Sequence, residues 1–523
     1  MKNMARLSVA SSFLVASSLF VACHPAVASS SEDRTARIFA QLQHNHSMLE
    51  VFMHDFPKGA DLHNHLVGAI YAENTMRWAA QDGLCVDMDH KAIKPDHCAQ
   101  DRGKMRNAAT VEADSSSENS MVDSLSMRNF HPSQNVTSGH DQFFSTFPRF
   151  IAGMGLTHEG AMLAEAVTRA ADDHTTYLEL MIAPDIEALI RRGLKHPLQG
   201  EDFAAVQASY SPAETQDFIT LARQDTDRME ADMRILLRCD TPQAAPGCRV
   251  RVRYLYATLR TFTPAAVFSQ ISGAYALVKA DPRFVGVNIV APEDDRVAMR
   301  DYDLHMRMFH YMSGLDPQVN LSLHAGELAE GLVPPEGLWN HITNAVTVAG
   351  ARRIGHGVDM AYEQNATATL AEMARRHVMV EINQTSNDQI LGVRGNAHPF
   401  QLYRAAGVPV AFSTDDEGVE RINLTHEYVR AAETWPLTYG EFKDLSRTGL
   451  EYSFLPGNSL WAQTAPFRPV HACTHTDMKS EQITASCATF LQNSEKAQAQ
   501  WALEKNFVTF EENVNRNTLF RKK

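Results

Sequence analysis

Cysteine is scarce in this sequence. There are seven residues, and none lies in a Cys-x-x-Cys pair, so thiolate zinc sites and thioredoxin-type redox motifs find no support. Positive charge is also in deficit, at 48 Lys and Arg against 62 Asp and Glu. A surface of that sign disfavours nucleic-acid polymers and anionic membranes as partners. No Gly-x-Gly-x-x-Gly follows any β-rich stretch, which weakens a nucleotide-cofactor fold. No membrane span is expected.

The first 28 residues differ from the rest. Lys2 and Arg6 precede an uncharged apolar and small-residue run, and Ala26–Ala28 fit a signal-peptidase site. This reads as a secretory leader, too short and too rich in Ser and Ala for a membrane span. Cleavage after Ala28 is favoured over a lipid anchor at Cys23, because Phe20 and Val21 match the lipoprotein pattern poorly. Losing Lys2 and Arg6, and no acid, moves the formal charge from −14 to about −16. The expected location is periplasmic or secreted. The six remaining cysteines fall into local pairs, 85–98, 239–248 and 473–487, the expected disulfides of an exported chain.

The sequence contains His-Asn-His twice, at 44–46 and 63–65. The first lies in an apolar periodicity that predicts a helix over 33–54. There, positions i and i+2 diverge, so no shared ion is expected. The second ends a predicted strand, where i and i+2 share a face and His63 and His65 converge. Seven further strands are predicted, at 175–183, 251–259, 284–291, 319–326, 352–357, 378–384 and 408–415, with helical stretches such as 159–174 and 365–377 between them. Eight strands alternating with helices predict an α/β fold, a (β/α)8 TIM-type barrel. It carries an N-terminal helical arm (29–58), a barrel (59–450) and a C-terminal helical extension (451–523). Two insertions interrupt the barrel. One, over 85–140, follows strand one and reads as a polar, partly flexible loop with a disulfide at its base; the other spans 184–250.

Barrel enzymes place their chemistry at the C-terminal ends of strands. Here those ends carry His63 and His65, then His324 and Glu327, then His356, then Asp415 and Asp416. Acids and imidazoles at four strand ends are hard to explain as packing, since buried charge is costly unless paired or ligating. Three histidines and a carboxylate suit zinc, whose bound water would be the nucleophile.

The segments "PKGADLHNHLVGA", "LHAGE", "RIGHG", "VEINQTSN" and "STDDEG" resemble the signature segments of the adenosine deaminase family, in the amidohydrolase superfamily. The resemblance covers 57–80 and about 284–430 and, with the export features, suggests an exported, bacterial-type member. It implies one Zn2+ per chain on His63, His65, His324 and Asp415. It implies that Glu327 protonates purine N1, that His356 orients the zinc-bound water and accepts its proton, and that Asp416 bonds N7. The implied reaction is hydroxide attack at C6, taking adenosine or deoxyadenosine to the inosine form plus ammonia.

Two positions depart from the family pattern. Val67 stands where many members have an acid for the ribose 5′-hydroxyl, and Ala291 stands where a glycine often lies under the base. Glu381 and Asn383 point toward the same mouth, either supporting the site or packing the strand. Phe143, Phe144, Phe147 and Phe150 have helical spacing; core packing is expected over a lid on the purine. The cluster His471, Cys473, His475 and Asp477 is read as a disulfide loop rather than a second metal site.

Two alternatives remain. A two-metal amidohydrolase often needs a lysine on strand four, and "FVGVNIVA" has none. A non-catalytic nucleoside-binding protein on the same scaffold is disfavoured by the complete residue set. A homodimer is left open.

Overall fold

The structure is a computed structural model. It describes residues 30–523 except 134–135, 475, 477–482 and 521–523. The expected leader, including Cys23, lies outside the described residues, as do His475 and Asp477.

Eight parallel strands run in chain order around one sheet. They are β1 (Gly59–His65), β2 (Thr175–Ile182), β3 (Arg251–Leu259), β4 (Phe284–Val290), β5 (Asn320–Ala325), β6 (Arg353–His356), β7 (Met379–Ile382) and β8 (Val410–Phe412). Helices such as Glu159–Asp172, Pro264–Ala280, Arg296–Leu315 and Ala366–Arg376 return the chain between strands. β4 and β6 are buried along their whole length, as expected of parallel strands covered on both faces. β8 ends three residues earlier than its sequence predicts. Beyond it, Asp415 N–H donates to His63 O (2.8 Å) and Asp415 O accepts from His65 N–H (3.2 Å), which joins β8 to β1. This is the predicted (β/α)8 barrel.

The helix expected over 33–54 is two helices, Ser31–Leu42 and His46–His54. The Asn45 side chain accepts from Met48 N–H and caps the second, so the chain breaks between them. His44 lies in that break. His46 Nδ1 meets Glu433 Oε1 at 2.8 Å, far in sequence from the histidines of β1. The Phe510 ring of the C-terminal Glu495–Arg516 helix lies 5.1 Å from Phe52, and Asn515 donates to Ser31 and Thr35. The N-terminal arm and the C-terminal extension therefore pack together.

The 85–140 insertion is not the loop its polar composition predicts. It forms a three-stranded sheet (Leu84–Asp87, Ala92–His97, Met105–Asn107) and two helices (Ala108–Glu112, Ser115–Ser124). Asp114 in "ADSSSENS" caps the second helix, so polar residues that suggested disorder start a helix. Met76, Val86, Ile93, Val111, Met121 and Phe143 give this unit its own apolar core. The 184–250 insertion holds three helices, one of 25 residues (Pro212–Leu236). Disulfides join Cys85–Cys98, Cys239–Cys248 and Cys473–Cys487, the expected pairs. Among the described residues no helix is long and apolar enough to cross a membrane.

Candidate active site

Four strand ends converge at the C-terminal mouth. One ligand atom from each of His63, His65, His324 and Asp415 falls within 4.8 Å of every other. His63 Nε2 and His65 Nε2 lie 3.4 and 3.3 Å from Asp415 Oδ1, and His65 Nε2 lies 3.2 Å from His324 Nε2.

Neighbouring groups fix which nitrogens carry protons. His63 Nδ1–H donates to Glu381 Oε2 (2.7 Å), and His324 Nδ1–H donates to Asn288 Oδ1 (2.8 Å). With Nδ1 engaged in this way, each ring turns its Nε2 toward the others. The His63 Nε2 is buried with no hydrogen-bond partner. A bare nitrogen facing another imidazole and a carboxylate oxygen is what a cation between them would satisfy.

The electrostatics agree. Burial lowers His63's affinity for a proton, but Asp415 and Glu381 outweigh it and push its pKa up to about 10. Asp415 is held well below the usual carboxylate range despite burial, by His356 and His63. Burial lowers His65 to about 4 and His324 well below its ordinary value. His65 and His324 are thus neutral, whereas His63, beside the ionised Asp415, holds positive charge strongly, either a proton or a metal cation in its place. Three nitrogens and one oxygen fit zinc.

Beside this cluster, His356 Nε2 lies 3.7 Å from Glu327 Oε1 and 3.6 Å from Asp415 Oδ2. Asp415 therefore turns one oxygen to the histidine cluster and the other to His356. Burial, then Asp415 and Glu293, raise the Glu327 pKa well above the usual range; burial and Asp415 do the same for Asp416. Burial lowers His356 to about 3. Ala291 (φ 80°), His356 (φ 68°) and Asp415 (φ 61°) all occupy left-handed backbone, a conformation that costs a non-glycine residue energy. Ala291 therefore holds the conformation that a glycine would adopt freely.

The glycines of "GHG" make room for protein neighbours. A Cβ on Gly355 would lie 2.6 Å from His63 Cε1, so only glycine lets that imidazole settle here.

Above the cluster is a cavity of about 290 Å3. Its lining combines the polar His65, His324, Glu327, Asp415 and Asp416 with Ala291, Phe143, Phe144 and Phe147. The three rings come from the Gly139–Phe150 helix. Core packing was their expected role, and Phe143 and Phe150 are indeed buried. However, the insertion carries this helix to the barrel mouth, so one face both packs and roofs the cavity. His140 Nε2, on the same helix, meets Asp294 Oδ1 of the loop after β4 at 3.0 Å. Val67 is absent from this lining.

Several residues around the site had no role assigned from the sequence. Arg353, fully buried, donates to Glu381 Oε1 and Glu179 Oε2, both at 2.6 Å. Asn288 orients His324. Asn387 and His398 stand behind His356. "RRIGHG" displayed Arg353 beside the site histidine, but only its partners reveal its function. Glu381 accepts from His63, Ser322 and Arg353, whereas Asn383 reaches the His356 ring only at 3.5 Å. Glu381→Gln is expected to weaken metal binding at this cluster by about 10–100-fold. Titration against a chromophoric chelator measures this, and an unchanged affinity would mean that Glu381 does not tune His63.

A parallel eight-stranded barrel with three imidazoles and a carboxylate at its C-terminal mouth defines an amidohydrolase-type enzyme. The adenosine deaminase family model matches residues 138–461, more than half of the chain, and the chain belongs to that family. It is 32% identical to an adenosine deaminase of Escherichia coli (strain SMS-3-5 / SECEC) over 147 residues, 28% of this chain and 41% of that one. It is 33% identical to the adenosine deaminase of Yersinia pseudotuberculosis serotype O:1b (strain IP 31758) over the same length and shares. The chain thus spans about two-fifths of the length of these relatives. Among solved structures, it resembles the ADAL–IMP complex (TM-score 0.51, 18% identity, 78% of this chain and 94% of that one). The apo N6-methyl-AMP deaminase of Arabidopsis thaliana is similar at a TM-score of 0.50 and 17% identity, with the same shares. At these identities the likeness concerns the fold.

Proposed function

We propose that this protein is a zinc-dependent hydrolase that deaminates adenosine-type nucleosides, taking adenosine or deoxyadenosine plus water to the inosine form plus ammonia. The observation that carries the proposal is the buried meeting of His63, His65, His324 and Asp415 directly beside Glu327 and His356. One zinc ion on the first four residues, when bound, supplies a water acidic enough to yield hydroxide near neutral pH.

The chain's own groups account for the rest. Purine N1 and N7 are both acceptors, so each needs a donor. Glu327 and Asp416, held in the acid form by burial beside Asp415, are donors. Glu327 delivers its proton to N1 as C6 is attacked, while Asp416 holds N7 in place. Ala291 lines the wall against the base. His356 orients the attacking water, whose proton passes to the Asp415–His356 pair and leaves with the departing ammonia. The aromatic roof excludes bulk water from C6.

The cavity supports a nucleoside rather than a nucleotide. Among the described residues its lining has no Lys or Arg, and a phosphate would enter without a counter-charge. ADAL has been solved with IMP and GMP, so the contrast can be tested. Purified protein should convert adenosine and deoxyadenosine, seen as loss of adenosine absorbance with ammonia release, and should leave AMP nearly untouched. A strong chelator should abolish turnover and added Zn2+ should restore it. Turnover that survives complete metal removal would sink the zinc assignment, and preference for AMP would sink the nucleoside assignment.

Action outside the cytoplasm is part of this proposal. Its support is the three disulfides and the leader expected from the sequence. Fractionation of cells producing the full chain tests it.

A further inference from the structure

Behind His356 a chain of buried hydrogen bonds ends on a group whose chemistry is not adjustable. Phe400 N–H, a backbone donor, points at His398 Nδ1 (3.2 Å). A backbone N–H can only donate, so Nδ1 of His398 is bare and its proton sits on Nε2. That nitrogen lies 2.9 Å from Asn387 Oδ1, which accepts. The other end of the same amide, Asn387 Nδ2, lies 2.9 Å from His356 Nδ1. An amide nitrogen only donates, so His356 Nδ1 is bare as well. The proton of neutral His356 therefore sits on Nε2, the atom that faces Glu327 Oε1 and Asp415 Oδ2. Flipping the amide would set two donors against each other at His398, so the assignment follows from the backbone N–H outward. His356 and Asn387 are fully buried and His398 nearly so, which leaves no solvent to substitute for a missing partner.

We infer that Asn387 and His398 are positioning residues that hold His356 as its Nε2–H tautomer, so that it meets the attacking water as a hydrogen-bond donor. This rests on the reading of the site given under Proposed function, and it revises one part of it. A protonated Nε2 cannot receive the water's proton, so Asp415 Oδ2 is the acceptor and His356 the group that orients the water's oxygen. His356 and His63 thus face one site with opposite tautomers. Glu381 draws the His63 proton to Nδ1, whereas Asn387 keeps the His356 proton on Nε2.

The test is Asn387→Asp in the zinc-loaded protein. Aspartate keeps the shape of asparagine but accepts at both oxygens, which draws the His356 proton to Nδ1 and reverses the tautomer. The expected result is a fall in kcat of about 100-fold or more, with KM and zinc content nearly unchanged. A change in packing alone would not produce that division. A kcat within about threefold of the parent would overturn the inference. A second measurement needs no turnover: 15N spectra of histidine-labelled holoprotein, with His356 assigned by comparison with His356→Gln. They should show a protonated-type shift at Nε2 and a bare-type shift at Nδ1, and the reverse pattern would overturn the inference. The spectra also separate the two readings. A parent that fails to deaminate any nucleoside removes the proposed function, yet the tautomer is still read directly.

Discussion

Glu327→Gln is expected to lower deamination by about 10²–10⁴-fold while zinc content stays unchanged. Glutamine fills the same volume and can still donate a hydrogen bond to a ring nitrogen, but it cannot surrender a proton to N1. The effect should be large because little else can replace the carboxyl. It is buried beside Asp415 and Glu293, which keep it in the acid form, and its backbone N–H is tied to Glu293 Oε2 at 2.9 Å. His356 Nε2 is 3.7 Å away but in the proposed reaction orients the attacking water instead. The defect should appear in kcat, since the interaction strengthens as N1 takes up the proton. Steady-state kinetics with metal analysis of the same sample check this. A variant within tenfold of the parent would remove Glu327 as the donor.

The second large effect is on stability. Arg353→Met is expected to cost about 3–5 kcal/mol, the usual result of breaking a buried ion pair from one side. Arg353 stands between Glu179 and Glu381, with all three side chains fully buried, and its guanidinium lies 3.9 Å from the centre of the Phe454 ring. Removing it strands two carboxylates. Glu179 would retain Tyr177 Oη and Phe454 N–H, and Glu381 would retain His63 and Ser322; neither set supplies a formal positive charge to Glu179. Denaturant unfolding of the zinc-loaded protein measures the loss. Adding Glu179→Gln to Arg353→Met should recover part of it, because one stranded charge is then gone. A single variant within about 1 kcal/mol of the parent would contradict the account.

The same network sets an acid limit. Burial alone would raise the Glu381 pKa, but Arg353 and His63 outweigh burial and hold it below 4.5. A carboxylate with a depressed folded pKa adds stability that is present above its unfolded pKa and is lost as pH falls through the folded one. The contribution of Glu381 should therefore be intact above about pH 4.5 and disappear below it.

The barrel and the metal cluster were legible because their signals are local and repeat. The residues of each strand announce themselves in runs of six to nine. On any strand, His63 and His65 share a face whatever the neighbours do. The failures have equally local causes. The helix expected over 33–54 breaks because one asparagine prefers to cap a new helix. The 85–140 insertion reads as a partly flexible loop because its caps and turns are Ser-, Asn- and Asp-rich, the composition that also marks loops. Phe143, Phe144 and Phe147 showed helical spacing, which says that they share a face but not what that face covers.

By itself, then, the sequence determined the eight-strand rhythm, the strand-end residues, the cysteine pairs and the resemblance to a deaminase. The family match begins at residue 138, so His63 and His65 lie outside it; the strand pattern and the segment "PKGADLHNHLVGA" are what pointed to them. Tertiary structure alone decided that Asp415 closes the barrel onto β1, that Arg353 binds Glu179 and Glu381 across 174 and 28 positions, and that Asn387 sets the proton on His356. The reason is physical. Periodicity and propensity belong to short stretches of chain, whereas the partner of a buried charge or imidazole is chosen by closure of the whole barrel.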